Sequence, residues 1–560
     1  MRSRTLSAVV MVLASCTTTI PPPTASLTPD APQRGGRVVI ATTGNVRTLQ
    51  PVLAGSDVIP LIYAGLTRPD SKNGSLTPDL ADTFSLSPDG LTANYRLREG
   101  LVWSDGTPLT AEDYRYALHA VARSKATVAK SRFQDIAGWT DYVQGRASSV
   151  SGIEIAANGR DITVHLTRVF CAALSNLAFT PLPRQRFVGS WDDRTTDTTK
   201  SIDQSPLNEA PPVSSGPFVL KQFTPDVQTV LAPNDRYWRG RPLIDELVFK
   251  VYSGVAATNG ALLTGEAHLA RVAPVDVATI SQSAPAYTLH QLPGIGEYTF
   301  VGWNQASSRA PWLRDIRVRQ ALAYGLDVDL IIKSVLLGNG HRVFSHTPQA
   351  SWAYDGTGMN TYPYDIQKAK QLLESAGARM GPNGVYLWTD GRPMRMSLKT
   401  NADNTTRVTV TQIAQDQYAK VGLAVDPEVL SFQALAAMLD GHGSDYEGFL
   451  LGWNIGIESP GTFSVWHSSQ NVKGGSNYVA FSDSDVDRFA VAGRTGPDCS
   501  RETRKAAFAS ADRILNAQVP YTFLYSPDTL IFDQKALRGI EPTSFDNFSL
   551  STVEQWWLKQ

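Results

Sequence analysis

The stretch LTPDLADTFSLSPDGLTANYRLREGLVWSDGTPLTAEDY, residues 76–114, contains most of the local signals that decide the fold. Its residues 91–103 alternate between polar and apolar around Glu99 and Gly100, and this alternation predicts a β-hairpin. Thr110 is a good N-cap for a following helix, because Glu112 and Asp113 then lie in the first turn, where the helix dipole favours acidic side chains. Strands followed directly by a helix indicate a mixed α/β protein.

Strand and helix signals alternate along the rest of the chain. Asp315, Asp365 and Ser500 each precede an amphipathic run, so a helix is predicted after each of them. Runs rich in apolar and β-branched residues predict strands near residues 37–42, 246–252, 298–304, 421–425 and 448–454. We find no repeat period in the sequence, so the prediction is an α/β fold without repeats.

The size and charge of the chain narrow the class of protein. It has 560 residues, of which 42% are hydrophobic and 18% charged, and its formal net charge is -1. Two or three lobes are expected, because single hydrophobic cores stop growing at about 250–300 residues. Nucleic-acid binding needs a basic surface, which this charge balance does not indicate, so no nucleic-acid partner is predicted.

The N-terminus has the pattern of an export signal. Arg2 and Arg4 precede a short apolar run that ends in LASC, residues 13–16, and this ending resembles the bacterial lipobox, in which Cys16 receives lipid. The alternative is an ordinary secretory signal with an incidental cysteine. We predict a signal peptide over residues 1–15 and, because proline and threonine dominate the next segment, an extended tether over residues 16–34.

Motifs for catalysis or metal binding do not occur in the sequence. H-E-x-x-H, G-x-x-x-x-G-K-[ST] and G-x-S-x-G are all absent, and His119 on an otherwise apolar helix is predicted to be structural. Cys171 and Cys499 lack metal-type spacing; in an exported protein they form either one disulfide or two buried thiols. We therefore predict no catalytic residue, no cofactor and no metal.

Six stretches, in order and spacing, resemble the peptide/nickel (dipeptide/oligopeptide) family of solute-binding proteins, the bacterial extracellular solute-binding protein family 5. Each stretch alone is an ordinary turn, strand end or amphipathic helix, so the joint pattern carries the resemblance, which covers about residues 35–545. The stretches are residues 76–114, SGPF at 215–218, NDRYW at 234–238, WN at 303–304 with DIRVRQALAYGLDVDLI at 315–331, YDIQKAKQLLESAG at 364–377, and LGWN at 451–454 with GGSNY at 474–478.

The resemblance implies a periplasmic-binding-protein-like fold of type II. Two hinged α/β lobes close around a ligand, and a third lobe is inserted in the first. By analogy, lobe I comprises residues 35–66, 190–270 and 521–560, the inserted lobe residues 67–189, and lobe II residues 271–520.

The resemblance also implies a function. The chain would be a monomeric receptor, lipid-anchored to the outer face of the cytoplasmic membrane or held in the periplasm, that passes a small peptide to an ABC permease and its ATPase. It would not be an enzyme. One alternative is a lipoprotein that uses the same fold to bind a non-peptide metabolite or an envelope partner in a regulatory role. Another is a hydrolase whose site is assembled from distant residues.

The family places ligand groups just after the strand that ends in Trp453 and Asn454, so both are predicted to line the cleft. For Trp453 the alternative is a core position. Trp303 and Asn304 end another predicted strand and are further hinge or wall residues. Asn477 lies in a glycine-rich loop whose backbone could approach a ligand closely, or which is a simple turn.

Charged ligand contacts are less well defined by the resemblance. Arg407 falls near the position where dipeptide-binding relatives carry an arginine for the ligand carboxylate, and a surface arginine is the alternative. Peptide-binding relatives carry an aspartate for the ligand amine a few residues after the equivalent of Trp453. Here Gly456 takes that position and Glu458 is the nearest carboxylate. Either Glu458 binds the amine, or the ligand has no free amine.

Overall fold

We describe the protein from a computed structural model that covers residues 31–44, 46–127, 129–443, 445–496 and 498–559. The predicted signal peptide and Cys16 lie outside these residues, as does most of the predicted tether. Within the covered ranges, no helix combines the length and the apolar character needed to cross a membrane.

A seven-stranded sheet organises the first lobe. The strand Arg37–Thr42 lies inside it and runs parallel to its two neighbours, Glu246–Val251 and Leu269–Arg271. Its Val38 and Ile40 on one face are fully buried, and Val39 and Ala41 on the other face are also buried, as expected for a strand covered on both faces. In spatial order the strands are Tyr287–Leu292, Thr529–Gln534, Leu269–Arg271, Arg37–Thr42, Glu246–Val251, Gln228–Pro233 and Phe218–Thr224.

A four-stranded antiparallel sheet and the helix Ala111–Arg123 pack against this first sheet. Their buried side chains belong to the same hydrophobic core as Val38 and Ile40, so they are part of the first lobe. In spatial order the strands are Ala81–Leu86, Thr92–Leu97, Asp161–His165 and Ile153–Ile155.

A six-stranded sheet with its helices forms the second lobe, which has two hydrophobic cores of its own. In spatial order the strands are Gly340–Arg342, Tyr521–Pro527, Glu297–Trp303, Gly448–Asn454, Arg395–Asn401 and Ala424–Leu430. The helices are Ile316–Tyr324, Val328–Ser334, Ile366–Ser375, Thr405–Val421, Phe432–Asp440, Thr462–Trp466, Ser484–Thr495 and Arg501–Gln518.

The remaining elements are short. The other α-helices are Ile59–Ile62, Trp139–Val143, Ala173–Leu177, Arg184–Phe187, Val255–Leu263 and Val277–Ser283. Turns of 3-10 helix are Lys130–Arg132, Ile202–Gln204, Pro206–Asn208, Pro274–Asp276, Pro311–Arg314, Ser468–Gln470 and Leu550–Gln555. Paired short strands are Thr67–Pro69 with Leu76–Pro78, Arg379–Met380 with Tyr386–Leu387, and Leu537–Arg538 with Trp557–Leu558.

The chain passes between the two sheets twice, at adjacent places. It leaves the first sheet after Leu292 and enters the second at Glu297, and it returns between Pro527 and Thr529. Ser526 Oγ ties the two passages together by donating to Gly294 O at 3.1 Å. Two adjacent connections of this kind are the usual form of a hinge.

Two strands lie on the other side of this hinge from the predicted lobe boundaries. Tyr287–Leu292, predicted within lobe II, belongs to the first sheet, and Tyr521–Pro527, predicted within lobe I, belongs to the second. Both follow from pairing: the former pairs with Thr529–Gln534 and the latter with Glu297–Trp303.

The predicted helix starts are confirmed. Asp315, Asp365 and Ser500 each accept a backbone N–H in the first turn of the helix that follows, and Thr110 is the N-cap of Ala111–Arg123. The strand predicted at 421–425 begins later, at Ala424. Residues up to Val421 belong to a helix that ends at Gly422, whose φ of +99° suits glycine.

The hairpin predicted for residues 91–103 is wrong. The strand Thr92–Leu97 pairs instead with Ala81–Leu86 and Asp161–His165. Residues 101–103 turn away after Gly100 and pair with residues 107–109, where Trp103 N donates to Thr107 O at 2.8 Å. The alternating pattern is therefore shared by two ladders rather than by one hairpin.

Cys171 and Cys499 form a disulfide, with their Cα atoms 4.9 Å apart. This settles the alternative between one disulfide and two free thiols. The bond spans 328 residues of sequence and joins the first lobe to the second.

Candidate ligand-binding cleft

Two adjoining cavities, one lined by the first lobe and one by both lobes, are together called the cleft. Their volumes are about 630 and 450 Å³, and both are lined by Asp57, Arg271 and Phe548. The larger cavity opens at the carboxyl ends of the parallel strands Arg37–Thr42 and Leu269–Arg271, where ligands of α/β sheets usually bind. Each volume falls in the range of small-molecule sites, about 300–1,000 Å³.

The smaller cavity is lined by both lobes. The hinge segment 293–296 and the strand ends at Glu297 and Asn454 contribute from one side, and residues 544–548 contribute from the other. Closure of the lobes around this space would bring groups from two separate bodies onto one ligand.

Three charged side chains of the cleft make no hydrogen bond or ion pair with any described residue. They are Asp57 and Arg271 of the first lobe and Glu297 of the second, and all three are exposed. The Arg271 guanidinium lies 4.7 Å from the centroid of the Phe548 ring, which limits its position without neutralising it. By contrast, the Asp546 carboxylate already has a hydrogen-bond partner in the protein, because it accepts from the Leu550 amide at 2.9 Å.

A side pocket of about 240 Å³ shares Asp57 with the cleft and carries balanced charges. Burial raises the pKa of Asp79 to about 6, against the opposing effect of the nearby Arg68. Arg239 pairs with Glu554 at 2.8 Å. Because its cations and carboxylates partner each other, this pocket has a weaker charge preference than the main cleft.

Trp453 and Asn454 have different environments in the structure. Asn454 is exposed and lines the smaller cavity. Trp453 is half-buried and stacks between Phe300 and Tyr478, with ring centroids 6.2 and 5.8 Å away. Neither cavity lining includes Trp453, so it supports the strand end behind the wall.

Three residues that the sequence predicts as ligand contacts make hydrogen bonds within the second lobe instead. Trp303 is fully buried and donates to Thr522 Oγ1 at 2.9 Å. Asn304 donates to Tyr446 O at 3.0 Å. Asn477 both accepts from the Phe481 amide and donates to its carbonyl. These buried hydrogen bonds hold loops together, and the described lining of the cleft includes none of the three.

Glu458 lies beside the cleft but is already paired. Its carboxylate forms an ion pair with Arg501, and its other oxygen lies 3.6 Å from Arg504 Nη1. Both arginines also lie against the Trp352 ring. A ligand amine would have to displace two guanidinium groups to reach this carboxylate.

Arg407 is half-buried rather than on the surface. Its Nη1 donates to Asn401 Oδ1 at 3.1 Å, and its guanidinium packs so closely against Gly452 that a Cβ there would lie 2.6 Å from Nη2. Burial lowers the pKa of Arg407, and the negative charge of Glu297 opposes that shift. The opposite charges of Arg407 and Glu297 therefore attract each other.

Asp57, Arg271 and Glu297 are not among the residues that the sequence predicts for the site. Each lies at a strand end or in a loop, with no motif around it. One signal in the sequence is Arg271, a charged residue that directly follows the apolar pair Leu269 and Ala270. Across the described ranges, no three His, Cys, Asp or Glu side chains cluster as metal ligands.

Comparisons with known proteins agree on the type of fold. Residues 75–475 match the family model of the bacterial extracellular solute-binding proteins, family 5. The oligopeptide-binding protein AppA of Bacillus subtilis (strain 168) is 26% identical over 539 residues, which cover 94% of this chain and 92% of that protein. The dipeptide-binding protein of Escherichia coli (strain K12) is 24% identical over 491 residues, 85% of this chain and 86% of that protein.

Solved structures resemble the fold over nearly its whole length. AppA from Bacillus subtilis, in complex with a nonapeptide, superimposes with a TM-score of 0.70 at 24% identity and covers 94% of this chain and 100% of that chain. NikZ from Campylobacter jejuni, in complex with Ni(L-His), gives a TM-score of 0.72 at 23% identity and covers 93% and 99%. These likenesses support the two-lobed fold.

Proposed function

Because this chain belongs to family 5 of the bacterial extracellular solute-binding proteins, we propose that it captures peptides with free termini for an ABC importer. The relatives named as oligopeptide- and dipeptide-binding proteins support a peptide as the ligand. The partners are then a membrane permease and its ATPase, and the chain works as a monomer without catalysis. We propose that the lobes hinge at residues 293–296 and 527–529.

The observation that carries the proposal is the pair of unpaired opposite charges across the cleft. Arg271 of the first lobe and Glu297 of the second line the same cavity, and neither side chain makes a hydrogen bond or ion pair with a described residue. A free peptide carries a carboxylate at one end and an ammonium at the other, and each is costly to desolvate without a counter-charge. A neutral sugar would leave both protein charges unpaired in the closed cleft.

We assign the ligand carboxylate to Arg271 and the ligand amine to Glu297. A guanidinium presents paired N–H donors that match a carboxylate, and Phe548 restricts the motion of this one. Asn454 on the neighbouring strand, paired in register with Glu297, supplies a polar wall group. Of the other predicted contacts, Trp453 supports this wall and Glu458 serves the lobe contact.

Calorimetric titration with tetra-alanine and its blocked forms tests the proposal. The wild type should bind the free peptide more tightly than the N-acetylated or C-amidated peptide. Glu297→Gln should weaken binding of the free peptide by about 10–100-fold and so remove the preference for a free amine. Arg271→Met should weaken it by a similar factor and remove the preference for a free carboxylate. Asp57→Asn, the matched control, removes a cleft carboxylate without changing these ratios.

Two results would separate the parts of the proposal. If no unblocked peptide binds and none copurifies in a mass spectrum of the native protein, peptide capture is wrong. If peptides bind but the variants keep the wild-type preferences, the peptide assignment stands and the roles of Arg271 and Glu297 are wrong.

A further inference from the structure

The disulfide is a third covalent connection between the lobes. Cys171 is followed by Ala173 and Leu177, which pack in the core of the first lobe. Cys499 immediately precedes the helix Arg501–Gln518, which buries Ala511 and Leu515 in the core of the second lobe. The bond therefore lies outside the two hinge passages, in a place where a hinged protein would normally separate.

Non-covalent contacts surround the disulfide and also cross between the lobes. The Cys171 amide donates to Arg494 O at 2.9 Å. The Arg494 guanidinium lies 5.5 Å from the ring centroid of Phe170 in the first lobe and 4.7 Å from that of Phe463 in the second. One cation thus packs against an aromatic ring of each lobe.

A second set of contacts continues from the disulfide to the rim of the cleft. Arg501 of the second lobe donates to Asn73 O at 3.3 Å and to Gly74 O at 3.1 Å, both on a turn of the first lobe. Gly74 has φ +66°, and an added Cβ would lie 2.6 Å from Ile457 and from Phe545. Both of those side chains line the cleft, so these contacts close its edge.

We infer that Cys171–Cys499 is a latch that keeps the cleft nearly closed whether or not a ligand is present. Closed and open forms of a hinged receptor normally differ by only a few kcal/mol, so the free protein opens readily. A covalent bond at the edge of the cleft holds the contacts of Arg494 and Arg501 at high effective concentration. The lobes can then part only as far as the loops that carry the two cysteines extend.

Small-angle scattering of the ligand-free protein tests the latch directly. Chains that begin after residue 16 leave Cys171 and Cys499 as the two cysteines. The variant with Cys171→Ser and Cys499→Ser should show a larger radius of gyration than the oxidised wild type. Saturating tetra-alanine should return the variant to the wild-type value. Dissociation of tetra-alanine should be at least about tenfold faster from the variant, because opening precedes release.

The reduced wild type provides the matched control. Treatment with a dithiol, followed by alkylation of both thiols, breaks the same bond without a change of sequence, so the inference is testable even if the serine variant does not fold. Equal radii for the oxidised, reduced and serine forms would overturn the latch. Failure of tetra-alanine to bind bears on the proposed peptide function, while the ligand-free radii still decide the latch.

Discussion

Glu458→Gln distinguishes two roles for this carboxylate, a ligand anchor and a contact within the protein. The substitution keeps the shape of the side chain and removes its charge. The Glu458 side chain is 18% exposed, its partner Arg504 is 3% exposed, and its partner Arg501 is 32% exposed. Breaking a buried pair costs about 3–5 kcal/mol, whereas an exposed pair contributes less than about 1 kcal/mol. Since glutamine still offers one acceptor, we expect the free energy of unfolding to fall by about 2–4 kcal/mol.

The same variant should bind free and N-acetylated tetra-alanine in the wild-type ratio of affinities. Urea unfolding measures the stability, and calorimetric titration measures the ratio. Glu297→Gln is the matched control, because it removes an exposed, unpaired carboxylate and should change stability by less than about 0.5 kcal/mol. These roles are refuted if Glu458→Gln leaves the free energy of unfolding unchanged and abolishes the preference for a free amine, while Glu297→Gln keeps that preference.

Two further predictions concern parts of the chain away from the cleft. Cys16→Ala should move the protein out of the detergent phase on phase partitioning, because the lipid anchor is lost; continued partitioning into detergent would contradict the lipobox. Burial raises the pKa of Asp512 to about 7, so its charged form destabilises the fold, and stability is lost as pH rises from about 4 to above 7. Asp512→Asn should therefore have the same free energy of unfolding in urea as the wild type near pH 4, and a larger one above pH 7, by up to about 4 kcal/mol. An equal difference at both pH values would show that the ionisation of Asp512 is not responsible.

Local signals predicted the elements better than their pairing. The strand Gly448–Asn454 and the helices after Asp315, Asp365 and Ser500 are set by residues adjacent in sequence, through alternation and capping. The partner of Thr92–Leu97 is set by contacts with residues up to 165, which no local pattern specifies. For the same reason the strand Tyr287–Leu292 could not be assigned to the first sheet in advance.

The candidate site was predicted in part, because the resemblance located a strand end but not the direction of its side chains. Asn454 faces the cleft, whereas the adjacent Trp453 packs behind it, as successive strand residues do. Arg271 and Glu297 share a cavity because of the hinge between them, a relation that depends on tertiary structure. The pairing of Glu458 with Arg501 and Arg504 likewise joins residues more than 40 positions apart.

The two strands on either side of the second hinge passage affect when the exported chain can finish folding. Tyr521–Pro527 lies between two strands of the second sheet, and Thr529–Gln534 lies between two strands of the first. A chain that crosses the membrane N-terminus first cannot complete the second sheet until residue 527 has emerged, or the first sheet until residue 534 has emerged. Until then each sheet has open strand edges, which can pair with other chains. Both lobes therefore mature together at the end of export, and chains cut short before residue 521 should be prone to aggregation and proteolysis.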